Sequence, residues 1–172
     1  MLLTKTTNRE TIEKKATSLK VLTSACLVGC NVRWNGANKK SETLISWAES
    51  VGIVLVPICP ENTVLGTPRS PIRLAQTDGR IAAVVNDTDI LDNLKEACKA
   101  LQNEHADALG FIGIEKSPTC GMSVGVRGLG KTIKGVFHQD APFPTTTVNQ
   151  LRNENNREAF LCRIEKYKNS LN

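Results

Sequence analysis

The sequence lacks several patterns that mark common classes of protein. Within its 172 residues no apolar run approaches the roughly 20 residues of a membrane-spanning helix. The first residues have no continuous apolar segment of the kind found in signal peptides. No G-x-G-x-x-G follows a strand pattern and no G-x-x-x-x-G-K-S/T occurs, which argues against a dinucleotide-binding or P-loop fold. These absences predict a cytoplasmic protein without a membrane segment.

Aromatic residues are also scarce, at 4% of the chain, and no strand pattern combines them with basic residues. Proteins that bind single-stranded nucleic acid use such strands to stack bases, so a small-molecule partner is favoured and nucleic acid is not. The net charge of +5 slightly favours an anionic ligand. The lysines gather near both ends of the chain, however, which is typical of a solvated surface.

What is present fits one globular domain. The length and the 40% hydrophobic content suffice for a substantial core. Residues 1–18 are polar and irregular and are predicted to form an N-terminal tail, followed by a single α/β domain over residues 19–172. Six cysteines in a cytoplasmic chain are expected to be reduced thiols that serve metal binding or catalysis before disulfides.

Strand and helix patterns alternate along this domain. Apolar strands are predicted at residues 19–25, 53–58, 81–85 and 108–114. Helices are predicted from the Ser41 cap to Gly52, from Thr88 or Asp89 through Leu101, and over residues 155–171, while residues 121–135 look like a loop or strained strand. The alternation predicts a Rossmann-like domain with a mainly parallel sheet and helices on both faces.

Three of the predicted strands run into loops that carry a cysteine. Cys26 follows the first strand, Cys59 follows the second, and Cys120 follows the strand at 108–114. Ligands of open α/β sheets bind beyond the carboxyl ends of the strands, so the topology should bring the three thiols together. The stretch from Ile53 to Leu74 begins with the second strand, and the prolines and arginines that follow are predicted to form a rigid loop that holds Cys59 in place.

Three thiolates around one point form an incomplete metal site. A structural zinc site takes four ligands, whereas a zinc ion or a cubane iron–sulfur cluster with three protein ligands keeps a position for substrate. The alternative is that the cysteines are ordinary small, partly buried residues. Cys98 and Cys162 lie on helix patterns and are predicted to be core or surface residues, and Cys30 is predicted to be a bystander. His105 and His138 are isolated in the sequence and are not predicted to be ligands.

Five motifs in this order resemble one family, the domain of unknown function 523 family, which includes the thiouracil desulfidases. They are Ser24-Ala25-Cys26-Leu27-Val28-Gly29, Arg33-Trp34-Asn35-Gly36, Pro57-Ile58-Cys59-Pro60-Glu61, Pro68-Arg69 and Ser117-Pro118-Thr119-Cys120-Gly121. The likeness is strongest over residues 21–151. It implies a compact α/β domain whose three cysteines, matching Cys26, Cys59 and Cys120, hold a [4Fe-4S] cluster. Their sulfurs should then converge within roughly 6–8 Å, the span of a cubane with its thiolates.

The resemblance also implies a reaction. The open iron would take the sulfur of a thiolated uracil or its nucleotide, and water would replace that sulfur without net redox change. Ser117 matches the serine to which a proton-transfer role is given in the desulfidases. Those enzymes use a carboxylate near the second cysteine, and Glu61 is the nearest one here. Basic side chains suited to a substrate phosphate are Arg69, Arg73, Lys116 and Arg127.

Two other classes of function stay open. One is a binding module whose pocket holds a nucleotide or zinc without turnover, and the other is a structural or interaction protein with a decayed pocket. Iron content after anaerobic purification distinguishes the enzyme from both.

Overall fold

A computed structural model describes residues 18–172 of the chain. The predicted tail therefore lies outside the described residues, apart from Ser18. The strands are β1 (Leu19–Ser24), β2 (Ile53–Ile58), β3 (Arg73–Thr77), β4 (Arg80–Val85), β5 (Thr88–Asp89), β6 (Phe111–Gly113), β7 (Val124–Arg127), β8 (Thr132–Ile133) and β9 (Thr145–Thr147). The α-helices are α1 (Glu42–Ser50), α2 (Pro60–Leu65), α3 (Leu91–Glu104), α4 (Val136–Gln139) and α5 (Glu154–Ser170).

The strands form two sheets. The first is parallel throughout and has the order β2-β1-β6-β9. The second has the order β5-β4-β3-β7-β8, and all its pairs are antiparallel except β3 with β7. The α/β class and the parallel pairing of the cysteine-bearing strands are thus confirmed, whereas the residues predicted at 81–85 belong to the second sheet.

The central strands of the first sheet, β1 and β6, are buried on both faces, which explains their near-continuous apolar character. In β1, Val21 faces a core that contains α1 and α5, whereas the next residue, Leu22, faces a core that contains α3 and the second sheet. Because side chains alternate along a strand, neighbouring residues supply two different cores. Helices were predicted on both faces of the parallel sheet. One of these faces is instead covered largely by the second sheet.

Local signals account for most element ends. The hydroxyl oxygen of Ser41 accepts a hydrogen bond from the N–H of Leu44 at 3.3 Å, so the predicted cap of α1 is confirmed. Helix α3 begins at Leu91, slightly later than predicted, because Thr88 and Asp89 pair with β4 as β5.

Helix α2 lies inside the stretch that was predicted to be a loop. Cys59 is its N-cap residue, Pro60 occupies its first turn, and Glu61 follows. Proline and an acidic residue are both favoured at this end of a helix, so the sequence did contain the signal. Strands β7 and β8 likewise fall within residues 121–135, and β9 was not predicted. Between residues 18 and 172, no helix combines the length and apolarity that crossing a membrane requires.

Candidate functional site

The three cysteines that follow β1, β2 and β6 line one cavity of about 240 Å³. Cys26 lies in a short 3₁₀ helix directly after β1, Cys59 lies at the start of α2, and Cys120 lies in the loop after β6. The parallel order β2-β1-β6 places these three strand ends side by side. The three cysteines therefore meet at the carboxyl edge of the sheet, and their role as cluster ligands stays a prediction.

The three thiols are poor acids in the protein without a bound cation. Burial, with a smaller effect of neighbouring Cys59, raises the pKa of Cys26 to about 11. Burial also raises the pKa of Cys59, and raises that of Cys120 well above the usual value of a thiol. A cationic metal centre would replace the protons of these thiols and relieve the cost of their charge, as metal ligation does generally.

The spacing of these donors bears on what the cavity holds. Within residues 18–172, no three His, Cys, Asp or Glu side chains are arranged to hold a single metal ion. A cubane takes each thiolate on a different iron, so its ligands are spread more widely than those of one ion. Three soft sulfur donors lining a shared cavity are of the kind that holds an iron–sulfur cluster.

The other cysteines lie elsewhere, as predicted. Cys98 is buried on α3, where desolvation raises its pKa to about 12, and Cys162 is exposed on α5. Neither these two nor Cys30 is among the residues that line the cysteine cavity.

Glu61 and Ser117 also line the cavity and contact one another. The hydroxyl of Ser117 donates to Oε1 of Glu61 at 3.0 Å. The same hydroxyl oxygen accepts the backbone N–H groups of Cys120 at 3.0 Å and of Thr119 at 3.2 Å. The serine proton is thereby directed at the carboxylate, and two N–H dipoles face its oxygen.

Arg69 holds the other oxygen of this carboxylate. Its Nη2 lies 2.8 Å from Oε2 of Glu61, with side-chain exposures of 5% for the arginine and 14% for the glutamate. Its Nη1 donates to the carbonyls of Val32 and Gly66 at 2.9 and 3.0 Å and to the hydroxyl of Thr67. Most of its donors are thus used within the protein; its Nε is buried and has no partner among residues 18–172.

The four basic residues predicted to bind a phosphate do not all line the same cavity. Arg69 and Lys116 line the cysteine cavity. Arg73 and Arg127 do not; they line a neighbouring cavity of about 470 Å³, which shares Lys116 with the first. Lys116 also reaches a larger cavity of about 520 Å³ between α1 and the start of α5. Lys116 therefore borders all three cavities, and its backbone is left-handed, with φ of 60°.

Two further residues at this site were not predicted from the sequence. Trp34 lines the cysteine cavity while 46% of its surface is exposed, so part of this residue is accessible from solvent. His138 is buried, which lowers its pKa, and it contacts the backbone of Cys120. The exposed tryptophan lay within a motif of the resemblance, but no local pattern singles out the histidine.

Two comparisons with known proteins found matches to this chain. The profile of the 2-thiouracil desulfurase family matches residues 21–149. Among solved structures, the fold is similar to that of TudS, described as a [4Fe-4S]-dependent thiouracil desulfidase, with a TM-score of 0.59. The two chains are 24% identical, and the match covers 78% of this chain and 94% of the other. No curated protein matches the chain significantly.

Proposed function

The chain belongs to the 2-thiouracil desulfurase family, and from that premise we propose that it is an iron–sulfur-cluster-dependent desulfidase for a thiolated pyrimidine base or nucleotide. The observation that carries the proposal is the shared cavity of Cys26, Cys59 and Cys120 with a hydrogen-bonded glutamate and serine in its wall. The reaction replaces the sulfur of a C=S group by the oxygen of water. Both protons of that water leave with the sulfur as hydrogen sulfide, and no electrons are transferred.

The three cysteines are the residues that would hold a [4Fe-4S] cluster. When bound with three protein thiolates, the cluster would supply one iron as a Lewis acid toward the substrate sulfur. The cysteines' own contribution is to supply three soft donors from three separate strand ends, so that the site forms only in the folded chain.

Glu61 and Ser117 are suited to moving a proton. The carboxylate accepts the serine proton at Oε1, and the N–H groups of Thr119 and Cys120 stabilise negative charge on the serine oxygen when that proton leaves. The pair therefore provides a base for the attacking water and a return path for the proton to departing sulfur. In this chain the carboxylate near the second cysteine is Glu61, which follows Cys59 within α2. We assign to Glu61 the role that the resemblance gives to that carboxylate.

Arg69 is a positioning residue for this carboxylate and not a phosphate ligand. Its guanidinium is held by Val32, Gly66 and Thr67 and presents Nη2 to Glu61. A planar, fixed fork of donors of this kind restricts a carboxylate to one orientation. The free oxygen lone pairs of Glu61 are then directed at Ser117 and the cavity.

The residues suited to binding the substrate lie at the edge of the cysteine cavity. The exposed ring of Trp34 offers a face on which a planar pyrimidine stacks, an interaction that contributes about 1–3 kcal/mol per base in other proteins. If the substrate is a nucleotide, Lys116 with Arg73 and Arg127 in the adjoining cavity provide the cations for its phosphate. We assign this phosphate role to these three and not to Arg69.

The test is anaerobic purification, reconstitution with iron and sulfide, and measurement of sulfide release. The substrates are 2-thiouracil, 4-thiouracil and their nucleotides. We expect iron in amounts that fit one cluster and sulfide from at least one substrate. A full cluster without sulfide from any of them would refute the reaction but keep the cofactor. One equivalent of zinc in place of iron would favour the binding-module alternative.

A further inference from the structure

The loop that carries Cys120, residues 117–121 (the Cys120 loop), is held by an unusual run of hydrogen bonds. The carbonyls of residues 118, 119, 120 and 121 all accept from the segment 135–138. Three of the donors are backbone N–H groups: Val136 to Pro118 at 3.1 Å, Phe137 to Thr119 at 3.0 Å, and Gly135 to Gly121 at 2.7 Å. The fourth is a side chain, because Nε2 of His138 lies 2.7 Å from the carbonyl oxygen of Cys120.

This contact identifies which nitrogen of the His138 imidazole carries the proton. A carbonyl oxygen only accepts, so Nε2 carries the proton and donates it. Nδ1 is then the unprotonated nitrogen; it is buried and has no hydrogen-bond partner among residues 18–172. An unpaired buried acceptor is destabilising, whereas a phenylalanine would fill this place beside Phe111 without one. Packing alone therefore does not explain the histidine, and its single hydrogen bond to Cys120 does.

The end of β6 is shaped around the same contact. A Cβ atom added to Gly113 would lie 1.9 Å from the carbonyl oxygen of Cys120 and 2.9 Å from Nε2 of His138. No side chain fits there without displacing that hydrogen bond. Gly113, Cys120 and His138, which are distant in sequence, are thus packed in one arrangement beside the Cys120 loop.

We propose that His138 is a positioning residue for Cys120: its Nε2–H fixes the carbonyl, and hence the backbone, from which the third cluster-binding thiol projects. The assignment of Cys120 as a ligand rests on the proposed function. The positioning itself does not, since it concerns the aim of a thiol in the bare protein. Without the histidine the loop keeps three of its four carbonyl contacts, so the chain should fold while Cys120 loses its single orientation.

The experiment uses the full chain without cluster and measures alkylation of individual cysteines by iodoacetamide with peptide mass spectrometry. Cys59, which lines the same cavity, is the internal reference. In His138→Phe the rate ratio of Cys120 to Cys59 should rise about tenfold, the factor expected for loss of one buried hydrogen bond. His138→Gln retains an amide N–H near the position of Nε2 and should restore a ratio close to that of the wild type.

A matched control separates positioning from general weakening of α4. Gln102 is also buried, and its Nε2 donates to the carbonyl of Phe137, the residue before the histidine. Gln102→Leu removes a hydrogen bond to the same helix without touching Cys120, and its alkylation ratio should equal that of the wild type. If His138→Phe does not fold by circular dichroism, His138→Asn carries the test, because its shorter amide does not reach the Cys120 carbonyl.

A second readout follows iron loss from reconstituted protein under a chelator, which His138→Phe should accelerate about tenfold and His138→Gln should not. An unchanged cysteine ratio in folded His138→Phe, or an equal rise in Gln102→Leu, overturns the proposal. Selective exposure of Cys120 in a protein that never takes up iron would instead refute the proposed function and leave the positioning role established.

Discussion

Two segments bring cysteines to the cavity, and they are held in different ways. The Cys59 segment, residues 59–69, is braced mostly from within: the Arg69 guanidinium pairs with Glu61 eight residues earlier, and among its other partners only the Val32 carbonyl lies outside the segment. The Cys120 loop has almost no side-chain brace of its own beyond Ser117, and its carbonyls bond to residues 135–138. The first arrangement is mostly local and contains an ion pair, whereas the second is remote and made mostly of backbone hydrogen bonds.

This difference matters because the two braces should fail differently. A buried ion pair is strongly destabilising when one partner is removed, since the other charge remains buried. A set of several backbone hydrogen bonds loses little when one member is removed, but the orientation of the residue at that point changes. The comparison therefore predicts large losses of stability at the Cys59 segment and selective losses of geometry at the Cys120 loop.

The largest effect is expected from removal of the cysteine thiol of either segment. Cys120→Ser and Cys59→Ser should each lose the cluster and all turnover, because only two soft ligands remain. Iron content and sulfide release after identical reconstitution measure this. Cys162→Ser, at the exposed cysteine of α5, should match the wild type. A serine variant that keeps full iron would remove that cysteine from the ligand set.

The next largest effect concerns the contact that joins the two segments, the hydrogen bond from Ser117 to Glu61. Glu61→Gln should keep the iron but lower turnover by about 10²–10⁴, the usual contribution of a positioned acid or base. Steady-state sulfide release with measured iron content tests this. Glu49→Gln, on the exposed side of α1, serves as a control for loss of a negative charge. Equal rates in Glu61→Gln and wild type would exclude Glu61 from the mechanism.

Substitution of Arg69 tests the contribution of the Arg69–Glu61 ion pair alone. Arg69→Met should lower the free energy of unfolding by about 3 kcal/mol, because it leaves the Glu61 carboxylate buried without its partner. Urea unfolding of the protein without cluster measures the change, and Arg73→Met, an exposed arginine of β3, should cost less than about 1 kcal/mol. The double variant Arg69→Met with Glu61→Gln should recover part of the loss. No recovery would mean that the ion pair is not the source of the effect.

The smallest effect is expected where the Cys120 loop meets β6. Gly113→Ala places a Cβ against the Cys120 carbonyl and should cost about 1–3 kcal/mol, as overpacking does in other cores. Gly125→Ala in β7 meets nothing within 4 Å and should be neutral or slightly stabilising. Thermal unfolding compares the two variants. A Gly113→Ala protein as stable as the wild type would show that the loop moves aside freely.

The sequence predicted the local half of this site better than the remote half. Cys59, Glu61 and Arg69 stand within eleven positions, and the prolines and arginines between them indicated a constrained segment. What was missed there, helix α2, carried its own signals in Pro60 and Glu61. Arg69 was predicted to bind a phosphate because a guanidinium matches a carboxylate and a phosphate alike, and in the structure it pairs with the carboxylate of Glu61.

The fold of the second sheet was likewise only partly predictable from the sequence. An apolar pattern at residues 81–85 predicts a strand but does not say which strand it pairs with. Its partner β3 lies across a two-residue turn, so it forms a hairpin outside the parallel sheet. Short strands such as β8 and β9, with two and three residues, are too brief for a period-two pattern to show.

By itself the sequence determined the α/β class, the parallel strands that end in cysteines, and the chemistry available at their ends. These follow from side-chain periodicity and residue type, which are properties of neighbouring residues. Only the tertiary structure decided that Arg69 faces Glu61 and that His138 reaches Cys120 across eighteen positions. Whether a buried donor finds a particular carbonyl depends on how separate elements pack, and no local pattern encodes that packing.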